Sequence, residues 1–169
     1  MKIFIAGTKS LQKLDTPVLQ RMMSIYQKGY CVLVGDCCGV DSSVQKFYSG
    51  LGYGNVVVYA NNGKARNNIG NWQIRNVPVP SYFRGFDFYK QKDIAMANDA
   101  DYGFMIWDGE SRGTLNNTIN LVSQNKRVLI YFSPQKKMVV INSFDDLNSL
   151  LEQCVPTTQA TYSKLLLRV

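Results

Sequence analysis

The chain of 169 residues contains no histidine. Its absence removes the side chain that most readily exchanges a proton near neutral pH, and the commonest metal ligand. Nucleophile pairs built on a histidine base, Ser-His or Cys-His, are excluded with it. Cysteines number four. Cys31 lies in an apolar run, Cys37 and Cys38 are adjacent and Cys154 is remote, so no zinc spacing arises and free thiols are expected. Asp36, Asp41 or Asp108 could face a magnesium ion, but no spacing demands it, so neither metal nor cofactor is assigned. No apolar run approaches the roughly 20 residues of a membrane span, and no signal-peptide pattern precedes the first strand. A cytoplasmic location without a membrane partner is expected. Carboxylates are scarce: 12 acidic residues against 19 basic ones leave a net charge of +7. That excess suits an anionic partner. The basic residues are scattered, however, so nucleic acid is not favoured on charge alone.

What is present fits one soluble globular domain, with 46% hydrophobic and 18% charged residues and no internal repeat. Apolar runs over 2–6, 30–34, 55–60, 102–107 and 127–132 read as buried strands. Between them, helical spacing marks a helix from Asp15 or Thr16 to Gly29, another from near Asp41 through Leu51, and others over 89–97 and after Thr114. Strands alternating with helices predict a three-layer α/β sandwich around a mostly parallel sheet of about five to seven strands. Residues 138–141 suggest an added edge strand. Ser143 with Asp146 resembles a capping box before an amphipathic helix. The tail reads ambiguously, as a closing strand through Leu165, Leu166 and Leu167. The stretch of about 61–87 has neither period and reads as a long loop insertion. Within it Lys64, Arg66, Trp72, Arg75, Tyr82, Phe83 and Arg84 interleave cations with aromatic rings. That pattern fits a lid, a platform for a base and phosphate, or a surface insertion whose rings fold back.

Three Gly-rich turns carry the functional signal. Gly7-Thr8 follows the first strand, and Gly35-Asp36 with Gly39 and Asp41 follows the second. The third, Asp108-Gly109-Glu110-Ser111-Arg112-Gly113-Thr114, joins an apolar strand to a helix. In an open parallel sheet such ends converge, and ligands bind there. Glycine admits a ligand close to the backbone, helix N-termini offer free N–H groups, and Arg112 supplies a fork for phosphate. Asp41 reads equally as a helix cap or a ligand contact, and Asp36 as a partner for a ligand hydroxyl. Trp107 reads as core or rim, with base stacking as the lesser alternative. The fingerprint G-x-G-x-x-G is absent, which disfavours an ordinary NAD site.

In the order of these turns the chain resembles the SLOG superfamily, over about residues 1 to 132 and most strongly from Lys92 to Tyr131. That group includes the lysine-decarboxylase-like phosphoribohydrolases and the Smf-type DNA-processing proteins. The resemblance implies a Rossmann-like fold that binds nucleotides, nucleotide sugars or nucleic acid. It implies phosphate at Gly109, Ser111, Gly113 and Thr114, and a dimer. Where the phosphoribohydrolases carry a catalytic glutamate, this chain has Asn116 and Asn117, which can hydrogen-bond but cannot act as a base. Lys92 stands near the place of their upstream arginine.

The resulting expectation is a sensor or carrier of a small nucleotide-derived ligand. Its contacts would be Gly7, Thr8, Gly35, Asp36, Gly39, Asp41, Lys92, Asp108, Gly109, Ser111, Arg112, Gly113, Thr114 and Asn117. An alternative is cleavage or transfer at an N-glycosidic bond of a nucleoside phosphate, with Asp36, Asp108 or Glu110 as acid or base. A further alternative is single-stranded nucleic-acid binding through the segment from Lys64 to Arg84.

Overall fold

A computed structural model describes residues 1–167. Seven strands form one sheet in the order β4-β3-β2-β1-β5-β6-β7. The chain enters at the middle with β1 (Lys2–Gly7) and crosses through α1 (Thr16–Gln27) to β2 (Cys31–Gly35). It continues outward through α2 (Val40–Gly50) to β3 (Val56–Asn61) and β4 (Gln73–Val77). It then returns through α3 (Gly85–Asp99) to β5 (Tyr102–Trp107), on the other side of β1. The helix α4 (Arg112–Val122) leads to β6 (Val128–Phe132), and β7 (Lys137–Ile141) closes that edge. All neighbours pair in parallel except β6 and β7, which are antiparallel. Two helices end the described chain, α5 (Phe144–Leu151) and α6 (Pro156–Leu166). The fold is therefore the expected three-layer α/β sandwich.

Strand pleating explains the continuous apolar runs. Phe4, Ala6, Met105 and Trp107 enter the core shared with α3 to α6, while Ile3, Ile5, Phe104 and Ile106 enter the core shared with α1 and α2. Each residue has an apolar neighbour on its own face, so no position is left for a polar residue. The capping box forms as read: Ser143 Oγ accepts from the Asp146 amide at 3.2 Å, and the Asp146 carboxylate accepts from the Ser143 amide at 3.1 Å.

Three local readings need correction. The stretch 61–87 is not a plain loop, because residues 73–77 add β4 to the sheet edge in parallel with β3. Its side chains are almost all exposed, so the strand carries no apolar alternation, and Pro78 ends it at once. The following helix starts at Gly85 rather than Tyr89. The tail is a helix, not a closing strand: Leu165 is buried while Leu167 is 88% exposed, and Pro156 occupies the first turn. Three successive leucines look alike in sequence, but a helix aims them in different directions.

Candidate functional site

The sheet order reverses between β1 and β5, and the C-terminal ends of β1, β2 and β5 lie side by side there. Open parallel sheets bind ligands at such a switch point. A cavity of about 660 Å³ occupies it. Its lining brings together most of the residues expected from the turns: Gly7, Thr8, Asp41, Lys92, Asp108 and the loop through Ser111, Arg112, Gly113 and Thr114, with Asn117 on α4. Gly35, Asp36, Gly39 and Gly109 are not part of that lining, and Asp36 lines a neighbouring cavity instead.

Short bonds stitch the three turns together. The Thr8 amide donates to the Ile106 carbonyl at 3.0 Å, its Oγ1 accepts from the Asp108 amide at 3.3 Å, and its carbonyl accepts from the Val40 amide at 3.3 Å. Glycine is required where they touch. A Cβ on Gly7 would stand 2.3 Å from the Ile106 carbonyl oxygen. One on Gly39, whose φ is +74°, would stand 2.3 Å from the Lys9 carbonyl oxygen.

The loop into α4 is built from within. Asp108 Oδ1 accepts from the amides of Glu110 (3.0 Å) and Ser111 (2.8 Å). Ser111 caps the helix, its Oγ meeting Thr114 Oγ1 at 3.1 Å, and the Trp107 indole donates to the Ser111 carbonyl at 3.1 Å. Trp107 is only 1% exposed, which places its ring in the core and leaves no face for a base. The Thr158 hydroxyl on α6 holds the Gly109 carbonyl at 2.8 Å. First-turn N–H groups of a helix have no partner within it, and those of α4 border the cavity. Arg112 is exposed, with its guanidinium 3.8 Å from the centre of the Phe86 ring.

Charged groups pack beneath the β2 turn. Asp36 is fully engaged: Arg66 reaches Oδ1 with Nη2 at 2.7 Å and Oδ2 with Nε at 3.1 Å, and the Arg66 amide adds 3.0 Å. Burial pulls the Asp36 carboxyl upward, but the Arg66 hydrogen bonds and the Lys92 charge outweigh it and hold the pKa below the ordinary value. Asp41 is not the cap of α2, a place taken by Gly39; it lies in the first turn and accepts from the Cys37 amide at 3.2 Å. Burial, resisted by the Lys92 charge, pushes Asp41 up to about 6. Lys92 is buried and donates to Asp93 at 2.6 Å. Burial would lower its pKa, yet the Asp93 and Asp41 carboxylates keep it raised. A Cβ on Gly35 would stand 2.4 Å from Asp41 Oδ2 and 2.9 Å from Lys92 Nζ, so a side chain there would displace both charged groups.

Of the carboxylates read as catalytic, Asp36 is bound to Arg66, Asp108 shapes the turn, and Glu110 is exposed at the cavity rim. Asn117 is buried on the cavity wall, and its Oδ1 accepts no hydrogen bond among the described residues. Among those residues no group of three acidic or thiol side chains could hold a metal ion. The sequence reading missed Phe86 and Tyr89 as lining residues. Tyr89 lies under two cations, Arg66 at 5.0 Å and Lys9 at 5.8 Å. Phe86 lies within the aperiodic stretch and Tyr89 just after it, and their only signal was proximity to the cation-rich residues.

No family model matches the chain, and no curated protein matches it. Among solved structures it is similar to DNA processing protein A from Helicobacter pylori, described in a study of that protein's single-stranded DNA binding mode. The TM-score is 0.60 at 14% identity, covering 98% of this chain and 80% of the other. The likeness is one of fold, and it agrees with the Rossmann-like α/β architecture expected from the sequence.

Proposed function

We propose that the chain binds a nucleotide-derived phosphate ligand at the switch-point cavity, as a sensor or carrier. The carrying observation is a cavity of about 660 Å³ bordered by a Gly-rich loop that is held by hydrogen bonds of its own and by one from Thr158. Such a loop needs little ordering on binding, which favours affinity. Arg112 and the α4 N-terminus supply the anion contacts, and Asn117 offers an unpartnered acceptor to the sugar or base. Binding without hydrolysis is supported by the commitments of Asp36 and Asp108 to structural bonds, and by amides in place of a base on α4.

Calorimetry with nucleoside monophosphates, ADP-ribose and ribose 5-phosphate tests this reading. Binding is expected, and Arg112→Ala should weaken it about tenfold, the worth of one charge-assisted hydrogen bond. No heat with any of these ligands would end it. A second reading, single-stranded DNA, draws support from the similar solved structure and from the exposed Lys64, Arg75 and Arg84. It expects oligonucleotide affinity that falls steeply with salt, whereas a curve unmoved by salt would remove it.

A further inference from the structure

A second cavity, of about 380 Å³, adjoins the first, and Arg66, Tyr89 and Lys92 line both. It opens at the C-terminal end of β3, where Asn61 forms part of its wall. Asn61 is 9% exposed and its Nδ2 donates to the Phe88 carbonyl at 2.7 Å. That bond sets the orientation of the amide, because the reverse would place oxygen against oxygen. Asn61 Oδ1 then points away from Phe88 as a buried acceptor with no donor among the described residues. Native interiors rarely leave such an atom without a partner.

The remaining chemistry of this cavity narrows the ligand. Phe88 and Tyr89 contribute apolar ring surface. Asp36 contributes a carboxylate paired with Arg66, and the Lys92 ammonium is paired with Asp93, so the interior offers no spare positive charge for a phosphate. Lys64 is exposed at the opening and forms no ion pair among the described residues. A neutral ring bearing an N–H, with a phosphate outside it, matches these surroundings. Three strand spacings separate β5 from β3, about 14 Å.

We propose that this second cavity is a nucleobase subsite, in which Asn61 Oδ1 accepts from the amino group of the base. The ligand is then two linked nucleotide units, one phosphate against the α4 loop and the second base beside Asn61, passing over Arg66 and Tyr89. The proposal rests on the phosphate reading of the first cavity. The same chemistry is offered by a free dinucleotide and by two successive residues of a single strand.

The test is calorimetry of the full chain with dAMP, with a 5′-phosphorylated deoxyadenylyl dinucleotide, and with that dinucleotide carrying N6,N6-dimethyladenine at its second base. The dinucleotide should bind at least about tenfold tighter than dAMP, and the dimethyl form, which has no N–H to give, should return to the dAMP level. Asn61→Leu should do the same while leaving dAMP unchanged, and since the dimethyl ligand needs no variant, misfolding of Asn61→Leu cannot mask the answer. Equal affinity for dAMP and dinucleotide, or indifference to dimethylation, overturns the subsite and leaves the first cavity standing. If neither ligand binds, the subsite falls, and the first cavity is judged separately by ADP-ribose and ribose 5-phosphate. A ten-residue oligodeoxyadenylate that binds tighter than the dinucleotide assigns the subsite to a strand, and equal affinity assigns it to a free dinucleotide.

Discussion

The two sides of the main cavity are held in different ways. On one side, the loop from Asp108 to Thr114 is fixed by neighbouring residues and by Thr158, mostly through short-range bonds of its own turn. On the other side, the segment after β3 is tied to the body by long-range contacts. Arg66 and Asn67 reach back to the β2 turn, Gln45 holds the Ile69 amide at 2.9 Å, and the Trp72 indole donates to the Tyr53 carbonyl at 2.7 Å. The first side is rigid by construction. The second is ordered by polar anchors to distant residues and by the pairing of β4 with β3.

The largest effect should come from the shared foundation of both sides. Gly39→Val puts a branched side chain at positive φ and within 2.3 Å of backbone. A loss of about 3 kcal/mol in chemical denaturation is expected, and a variant as stable as the parent would show that the turns can move apart.

Next is the buried carboxyl. Asp41 binds its proton more tightly folded than unfolded, with a folded pKa of about 6 against an unfolded value of about 3.9. The folded state therefore holds more protons in between, and stability should fall as pH rises from about 4 to about 6, by about 2–3 kcal/mol in all. Asp41→Asn should flatten that part of the pH–stability profile, and an unchanged slope would refute the assignment.

The long-range side is next in size. Arg66→Ala should cost about 1 kcal/mol, since the arginine is half-exposed and its pair is partly screened. The lowered pKa of Asp36 adds stability above its unfolded value that is lost as pH falls through the folded one. In Arg66→Ala that acid loss should shrink. Proteolysis in the segment 61–84 should quicken in the variant while the α4 loop stays protected, and equal cleavage on both sides would erase the contrast between them. At the bottom of the scale, Glu110→Gln at the exposed rim should shift stability by less than about 0.5 kcal/mol, because the carboxyl makes no hydrogen bond or ion pair among the described residues.

The sheet and its switch point were legible because a strand buried on both faces has a continuous apolar run, and the Gly-bracketed turns mark where such strands end. The Asp108 loop could be named from sequence because its Asx turn and helix cap are local, and Gly7 and Gly39 because glycines bracket the strand ends, although the atoms that crowd them belong to the distant Ile106 and Lys9. β4 was hidden because exposed edge residues are chosen for solvent, not for a partner face. The pairing of Asp36 with Arg66 could not be read either, since thirty residues separate them and either charge alone resembles a ligand contact. Composition excluded histidine chemistry outright, and local pattern determined the layers, the strand ends and the Gly-rich loop into α4. Which carboxylates remain free, which rings line the cavity and whether a second cavity adjoins the first depended on tertiary packing. The reason is physical: secondary structure follows from periodicity within a few residues, whereas the charge state and exposure of a side chain follow from whatever the fold sets beside it.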